Sequence, residues 1–95
     1  MPSFTDHCAE CRERLGEDFA EVHQWLDALF AERGPRHRRV RHHLAGVEEV
    51  RRQWGDKAAE AALLHVVADL RQEGWRAGRD RVPRDEADYV RMGLF

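Results

Sequence analysis

The stretch AAEAALLHVVADL, residues 58–70, decides the fold. It is long enough for more than three helical turns and apolar on nearly every side, so a helix formed by it must be surrounded by other helices. His65 and Asp69 lie within it one helical turn apart and therefore share a face. Because a buried polar group without a partner costs roughly 1–3 kcal/mol, this stretch predicts a small helical domain with polar groups at its centre.

The composition describes one small domain, residues 1–95. The hydrophobic share of 42% suffices for one compact core, and the charged share of 36% predicts a well solvated surface. The formal net charge of −2 argues against a general nucleic-acid coat. The first residues show no basic segment followed by an apolar run, and no apolar segment approaches ~20 residues. We therefore expect a cytoplasmic domain that does not span a membrane.

Hydrophobic periodicity and capping residues predict an all-α fold, a compact bundle-like domain of four main helices plus a short C-terminal helix. Ser3 and Asp6 form a capping pattern before the first helix, and Gly16 is a natural stop after it. Gly46 falls inside the third helix, where we expect it to permit the close approach of another helix. The predicted main helices cover residues 3–16, 17–33, 36–54 and 56–73, and the last helix follows Pro83.

Cys8 and Cys11 have a C-x-x-C spacing, which suits a pair of zinc ligands or a redox pair. Structural zinc usually takes four ligands from two such clusters, and the sequence has no second cluster. A thioredoxin-like motif follows a strand, and the sequence predicts no strand before these cysteines. Phe4, Cys8, Cys11 and Leu15 recur at helical spacing, so we interpret both cysteines as small core residues. Ser3 is the only serine and stands near the first residue, so the sequence assigns no nucleophile.

Histidines are frequent, with six in 95 residues. Two belong to His-x-x-x-Asp pairs, and His37 projects onto the apolar stripe of the third helix, with His43 at its edge and His42 nearly opposite. Helical bundles build zinc, iron or manganese sites from one or two such ligands per helix, and a metal with an open position activates water for hydrolysis. The sequence thus predicts a divalent-metal centre that is a candidate hydrolase site. Its candidate ligands are His23, Asp27, His37, His43, His65 and Asp69.

The basic segment RHRRVRHH, residues 36–43, supports a non-enzymatic alternative. Its arginines can contact nucleic-acid phosphates, although the slightly acidic domain and their spread around the helix disfavour this interpretation. The chain can also be an interaction module or a homodimer anchored by Trp25, Trp54 or Trp75, with histidines that are structural or pH-responsive. The arginines concerned are Arg36, Arg38, Arg39 and Arg41.

The order of these motifs resembles an uncharacterised family of small bacterial and phage proteins, known only as a domain of unknown function. The motifs are His-x-Trp-x-Asp at residues 23–27, Arg-His-Arg and Arg-His-His within residues 36–43, His-x-x-x-Asp-Leu at residues 65–70, and Pro83 followed by Asp88 and Tyr89. The resemblance covers most of the chain, but Ala68 stands where the family usually has an acidic residue. It implies no reaction. It does imply that the motif includes His7, His23, His37, His42, His43 and His65.

Overall fold

The computed structural model describes residues 2–94, and within them every regular element is helical. The all-α prediction is confirmed. Helices α1, α6 and α7 lie close to the predicted first, fourth and last helices, whereas the second and third predicted helices are each broken. The helices are α1 (Phe4–Leu15), α2 (Ala20–Asp27), α3 (Phe30–Arg33), α4 (Arg38–Arg41), α5 (Leu44–Trp54), α6 (Asp56–Arg71) and α7 (Glu86–Arg91), with a 3-10 turn at Gly34–His37.

Helix α6 is the central element, as the opening stretch predicts. It packs against α5, α1 and α2. The alanines in its first half are buried, which allows these helices to approach closely, and Val66 and Leu70 continue the buried surface. One side remains open, because Leu63 is 38% exposed. The apolar core around α6 consists of Val22, Leu26, Val47, Val50, Ala58, Ala59, Ala62, Val66, Leu70, Trp75 and Tyr89.

The prediction of one continuous third helix over residues 36–54 is wrong. The helix ends at Arg41 and restarts at Leu44, with His43 in an extended conformation (φ −157°, ψ 176°). The reason is local: the Gly46 N–H donates a 3.1 Å hydrogen bond to His43 Nδ1, so His43 caps α5. A side chain that caps a new helix offers the backbone an alternative to continuing the old one. As a result of the bend, His42 faces the centre of the domain in place of His43.

Gly46 permits this bend. A Cβ atom placed on it would lie 1.8 Å from the Arg41 carbonyl oxygen, far closer than two atoms that are not bonded to each other can approach. The close approach predicted at Gly46 therefore comes from the backbone at the end of α4. Any larger residue would push α4 and α5 apart at the position where His42 is presented to the centre of the domain.

The predicted second helix over residues 17–33 is also interrupted. Phe19 adopts a left-handed conformation (φ 56°), so α2 begins only at Ala20. It ends at Asp27, and the chain turns before the short α3. This turn and the 3-10 turn that follows α3 bring His37 back against Asp27, ten residues earlier in the sequence.

Cys8 and Cys11 are buried free thiols, as expected for core residues. Burial raises the pKa of Cys11 to about 11, so the reactive thiolate is scarce at neutral pH. No helix within residues 2–94 is both long enough and apolar enough to cross a lipid bilayer.

We expect Gly46→Ala to lower the free energy of unfolding by about 2–3 kcal/mol, because the new methyl group would overlap the Arg41 backbone. Chemical denaturation monitored by circular dichroism measures this change. Ala45→Gly, at the exposed neighbouring position, is the control and should cost only about 0.5–1 kcal/mol. A Gly46→Ala variant that is more stable than the parent, as at an ordinary helical glycine, would refute the close contact.

Candidate metal centre

Four side chains converge at the centre of the domain: Asp27, His42, His65 and Asp69. Each offers one potential ligand atom, and these atoms all lie within 4.8 Å of one another. Asp27 comes from the end of α2, His42 from the bend between α4 and α5, and the other two from successive turns of α6. The group has the spacing to hold a metal ion. Asp27 is its only partly exposed member, with a side chain that is 36% accessible.

Two imidazole nitrogens of this group face two carboxylate oxygens. His42 Nε2 lies 3.0 Å from Asp69 Oδ2 and 3.4 Å from Asp27 Oδ1. His65 Nε2 lies 3.2 Å and 3.3 Å from the same two oxygens. Only the contact between His42 and Asp69 has the alignment of a hydrogen bond, and His65 Nε2 has no hydrogen-bond partner. His65 Nε2 is therefore a buried polar atom whose neighbours are negatively charged and misaligned.

A chain of hydrogen bonds determines which nitrogen of His65 carries a proton. His23 Nε2 lies 2.9 Å from the Asp18 carbonyl oxygen, which can only accept, so this nitrogen carries the proton. Burial, together with the imidazoles of His65 and His7, lowers the pKa of His23 to about 4, so the ring is neutral at pH 7 and its Nδ1 accepts. His65 Nδ1, 2.9 Å from His23 Nδ1, must then be the donor.

The proton on His65 Nδ1 leaves two states for its Nε2. This nitrogen can carry a second proton, which makes His65 a cation, or it can present a lone pair to the space between the two carboxylates. A lone pair that faces two carboxylates is repelled by them, and a cation placed between them would turn this repulsion into attraction. A ligating histidine typically donates its other ring N–H to a partner that orients the ring, and His23 is placed to accept it here.

Two further histidines flank the carboxylates. His37 Nε2 lies 3.0 Å from Asp27 Oδ1, while its Nδ1 lies 2.7 Å from the Gly34 carbonyl oxygen, to which it must donate. His7 Nε2 lies 3.2 Å from Asp69 Oδ1, and its ring stacks on that of His65 at a centroid distance of 3.6 Å. These two rings extend the imidazole shell around both acids.

The electrostatics of the centre favour ionised carboxylates. Burial alone would raise the pKa of Asp27 and Asp69, but hydrogen bonds from the surrounding histidines outweigh it and hold both pKa values well below the usual range. Arg38 lies 3.7 Å from Asp69 Oδ1 and pairs at 3.0 Å with Glu73, which also accepts a 2.7 Å hydrogen bond from the Tyr89 hydroxyl. If the charge of Arg38 is assigned to Glu73, the two aspartates need about two positive charges.

The structure separates the six candidate ligands into three classes. Asp27, His65 and Asp69 belong to the central group, whereas His37 lies beside it and His23 lies behind His65. His43 is not part of the group, since its Nδ1 caps α5 and its Nε2 has no hydrogen-bond partner. His42 takes the place expected for His43, because the bend breaks the periodicity on which that expectation rested. The sequence signal for this change of roles was Gly46, whose position three residues after His43 allows its N–H to donate to a capping His43 side chain.

The sequence comparison identifies the family of the chain. The family described as "Domain of unknown function (DUF6915)" matches residues 2–80. The chain belongs to the DUF6915 family. The resemblance to a family of unknown function is thereby confirmed, and all four central residues of this DUF6915 domain lie inside the matched range, while α7 lies outside it. No curated protein and no solved structure is significantly similar to the chain.

The hydrogen-bond chain predicts one tautomer for His23. At pH 7 we expect a neutral ring with its proton on Nε2, because the Asp18 carbonyl can only accept. Two-dimensional ¹H–¹⁵N spectra of the side-chain nitrogens distinguish this tautomer from the Nδ1–H form and from the charged ring. Unfolded protein in urea is the reference. A His23 proton on Nδ1 in the folded protein would show that the donor and acceptor between His23 and His65 are assigned the wrong way round.

Proposed function

We propose that this DUF6915 domain binds one divalent transition-metal ion through Asp27, His42, His65 and Asp69. The supporting observation is that His65 Nε2 faces both carboxylates, while His65 Nδ1 donates its proton to His23. One divalent cation among these atoms would supply the two positive charges that the aspartates need. It would also give the unpaired nitrogen a partner.

The donor set fits the metals that the sequence predicts. Imidazole nitrogen and carboxylate oxygen together suit zinc, iron and manganese, whereas a soft thiolate ligand is not involved. The orientation of His65 by His23, itself held by the Asp18 carbonyl, is the kind of outer support that fixes a ligating ring. The location of this activity in the cytoplasm stays a prediction.

Metal analysis of untagged protein tests the proposal. After loading with zinc, iron(II) or manganese and desalting, we expect about one ion per chain. The melting temperature should rise, since an ion that binds only the folded form at 100 times its Kd stabilises it by about 2.7 kcal/mol. His65→Gln and Asp69→Asn should each weaken metal binding by at least about 10-fold, the scale reported even for outer-shell changes.

The control for these variants is His43→Asn, which alters a buried histidine outside the central group while keeping a good capping side chain. It should retain metal binding. The proposal fails if none of the three metals is retained by the parent protein, or if His43→Asn loses the ion while His65→Gln keeps it. The second result would restore the ligand assignment made from helical periodicity.

Hydrolysis is the reaction class that we propose for this centre. A bound divalent ion would supply Lewis acidity and lower the pKa of a water molecule. Asp27 is the partly exposed member of the group, so water and substrate would approach the ion from the side of Asp27. His37 lies on that side, with its Nδ1 proton held by the Gly34 carbonyl and its Nε2 3.0 Å from Asp27 Oδ1. Once a bound ion neutralises Asp27 in its place, His37 Nε2 would be free to accept a proton from the water. We therefore assign His37 to proton transfer instead of metal ligation.

A variant of His37 distinguishes these roles. We expect His37→Gln to retain the metal and to lower the hydrolysis rate of p-nitrophenyl ester or phosphoester substrates by about 10²–10⁴-fold. Metal content and initial rates are measured on the same samples. Loss of the ion in His37→Gln would instead make His37 a ligand, and a metal-loaded parent protein that hydrolyses neither substrate class would reject the hydrolase proposal.

The interaction-module alternative stays a prediction. Arg41 donates a 2.6 Å hydrogen bond to the Trp25 carbonyl and covers the Trp25 ring, and Arg38 is buried, so both side chains already have internal partners. Trp75 is buried as well, which leaves Trp54, 39% exposed, as the most accessible anchor for a protein partner or a second copy of the chain.

A further inference from the structure

A cleft of about 410 Å³ opens onto the proposed metal centre. Asp27 and Asp69 lie in its lining together with His37, so it reaches the side of the centre that is accessible. Its volume lies at the lower end of the range of small-molecule pockets, roughly 300–1,000 Å³. Two phenylalanines, Phe4 from the first turn of α1 and Phe30 from the start of α3, also line it.

Each of the two phenylalanine rings contacts a histidine that lies next to the central group. Phe4 packs edge-on against His23 at a centroid distance of 6.3 Å, and Phe30 packs edge-on against His37 at 5.3 Å. Nevertheless Phe4 is 44% exposed and Phe30 is 50% exposed. Single exposed apolar residues are common, but two aromatic rings on one cleft beside a polar centre are the usual lining of a pocket that receives an apolar group.

The charges along the cleft limit what its ligand can carry. Arg38 is the only arginine or lysine among the described residues that line it. Its guanidinium is buried and already engaged by Glu73, Gln72 and the Asp69 carbonyl. The divalent ion would only balance the two aspartates, so a multiply charged ligand such as phosphate would find no further free cationic side chain among the described residues of the cleft to neutralise it. A neutral or singly charged donor group does not need one.

We propose that the cleft binds a small ligand with an apolar, ring-sized body between Phe4 and Phe30 and one neutral or monoanionic donor group directed towards the metal. This inference rests on the proposed metal centre and specifies the substrate class of that centre. The aromatic walls supply affinity through buried area, and the ion supplies orientation. This proposal excludes polyphosphates and nucleic acids as ligands of the cleft.

Hydroxamates test this inference because their metal-binding group stays constant while the body changes. Titration calorimetry on zinc-loaded protein would compare benzohydroxamate, acetohydroxamate and inorganic phosphate, with the metal content measured afterwards. We expect benzohydroxamate to bind roughly 10-fold or more tighter than acetohydroxamate, since only it reaches the aromatic walls. Phosphate should bind more weakly than benzohydroxamate.

Variants of the walls complete the test. Phe4→Ala and Phe30→Ala should each weaken benzohydroxamate binding by roughly 5-fold or more and leave acetohydroxamate within about 2-fold. Both positions are half-exposed, so the variants should fold, which circular dichroism checks. Leu63→Ala is the control, because Leu63 is exposed to a similar degree but is not part of this cleft.

The outcomes separate this inference from the metal proposal. Failure to load zinc or another of the three metals would refute the metal centre itself. A metal-loaded protein that binds both hydroxamates equally, or that loses no benzohydroxamate affinity in the phenylalanine variants, would overturn the ligand class while the centre stands. Tighter binding of phosphate than of benzohydroxamate would overturn it in favour of an anionic substrate.

Discussion

The structure depends on two carboxylates, Asp27 and Asp69, placed side by side at the centre of a very small domain. Buried charges are costly unless they are paired and hydrogen-bonded, so everything around them has to supply donors or cations. The chain does this with imidazoles from α1, from His37 and His42 on either side of α4, and from α6 itself. A divalent ion satisfies the same requirement with fewer protons than a set of charged histidines.

The polar centre also explains how the apolar core is arranged. Because the inner face of α6 carries His65 and Asp69, the apolar packing is shifted towards α5 and the C-terminal segment. Small alanines let α6 approach its neighbours closely, and Tyr89 closes the far side by donating to Glu73, which pairs with Arg38. The same helix and the same buried ion pairs therefore stabilise the fold and form the candidate site. A substitution in the site is expected to change the stability of the fold as well.

The bend at residues 41–44 shows how local chemistry creates the site. A continuous helix would direct His43 towards the centre and His42 away from it. The capping bond between His43 and the Gly46 N–H ends this regularity, and the missing Cβ of Gly46 leaves room for the Arg41 carbonyl. The same side-chain type thus serves as a cap at one position and as a candidate ligand at the next.

The sequence by itself determined the helical class, the capped start of α1, the extent of α6 and the pairing of His65 with Asp69. These are local properties, since caps and i, i+4 spacing act within one or two turns. Only the tertiary structure decided that His42 replaces His43, that His23 supports His65 from behind, and that His37 reaches Asp27. Periodicity assumes an unbroken helix, and a one-residue change of position rotates a side chain by about 100°. A break and the packing of distant segments against it follow from contacts far apart in the chain, which local spacing does not encode.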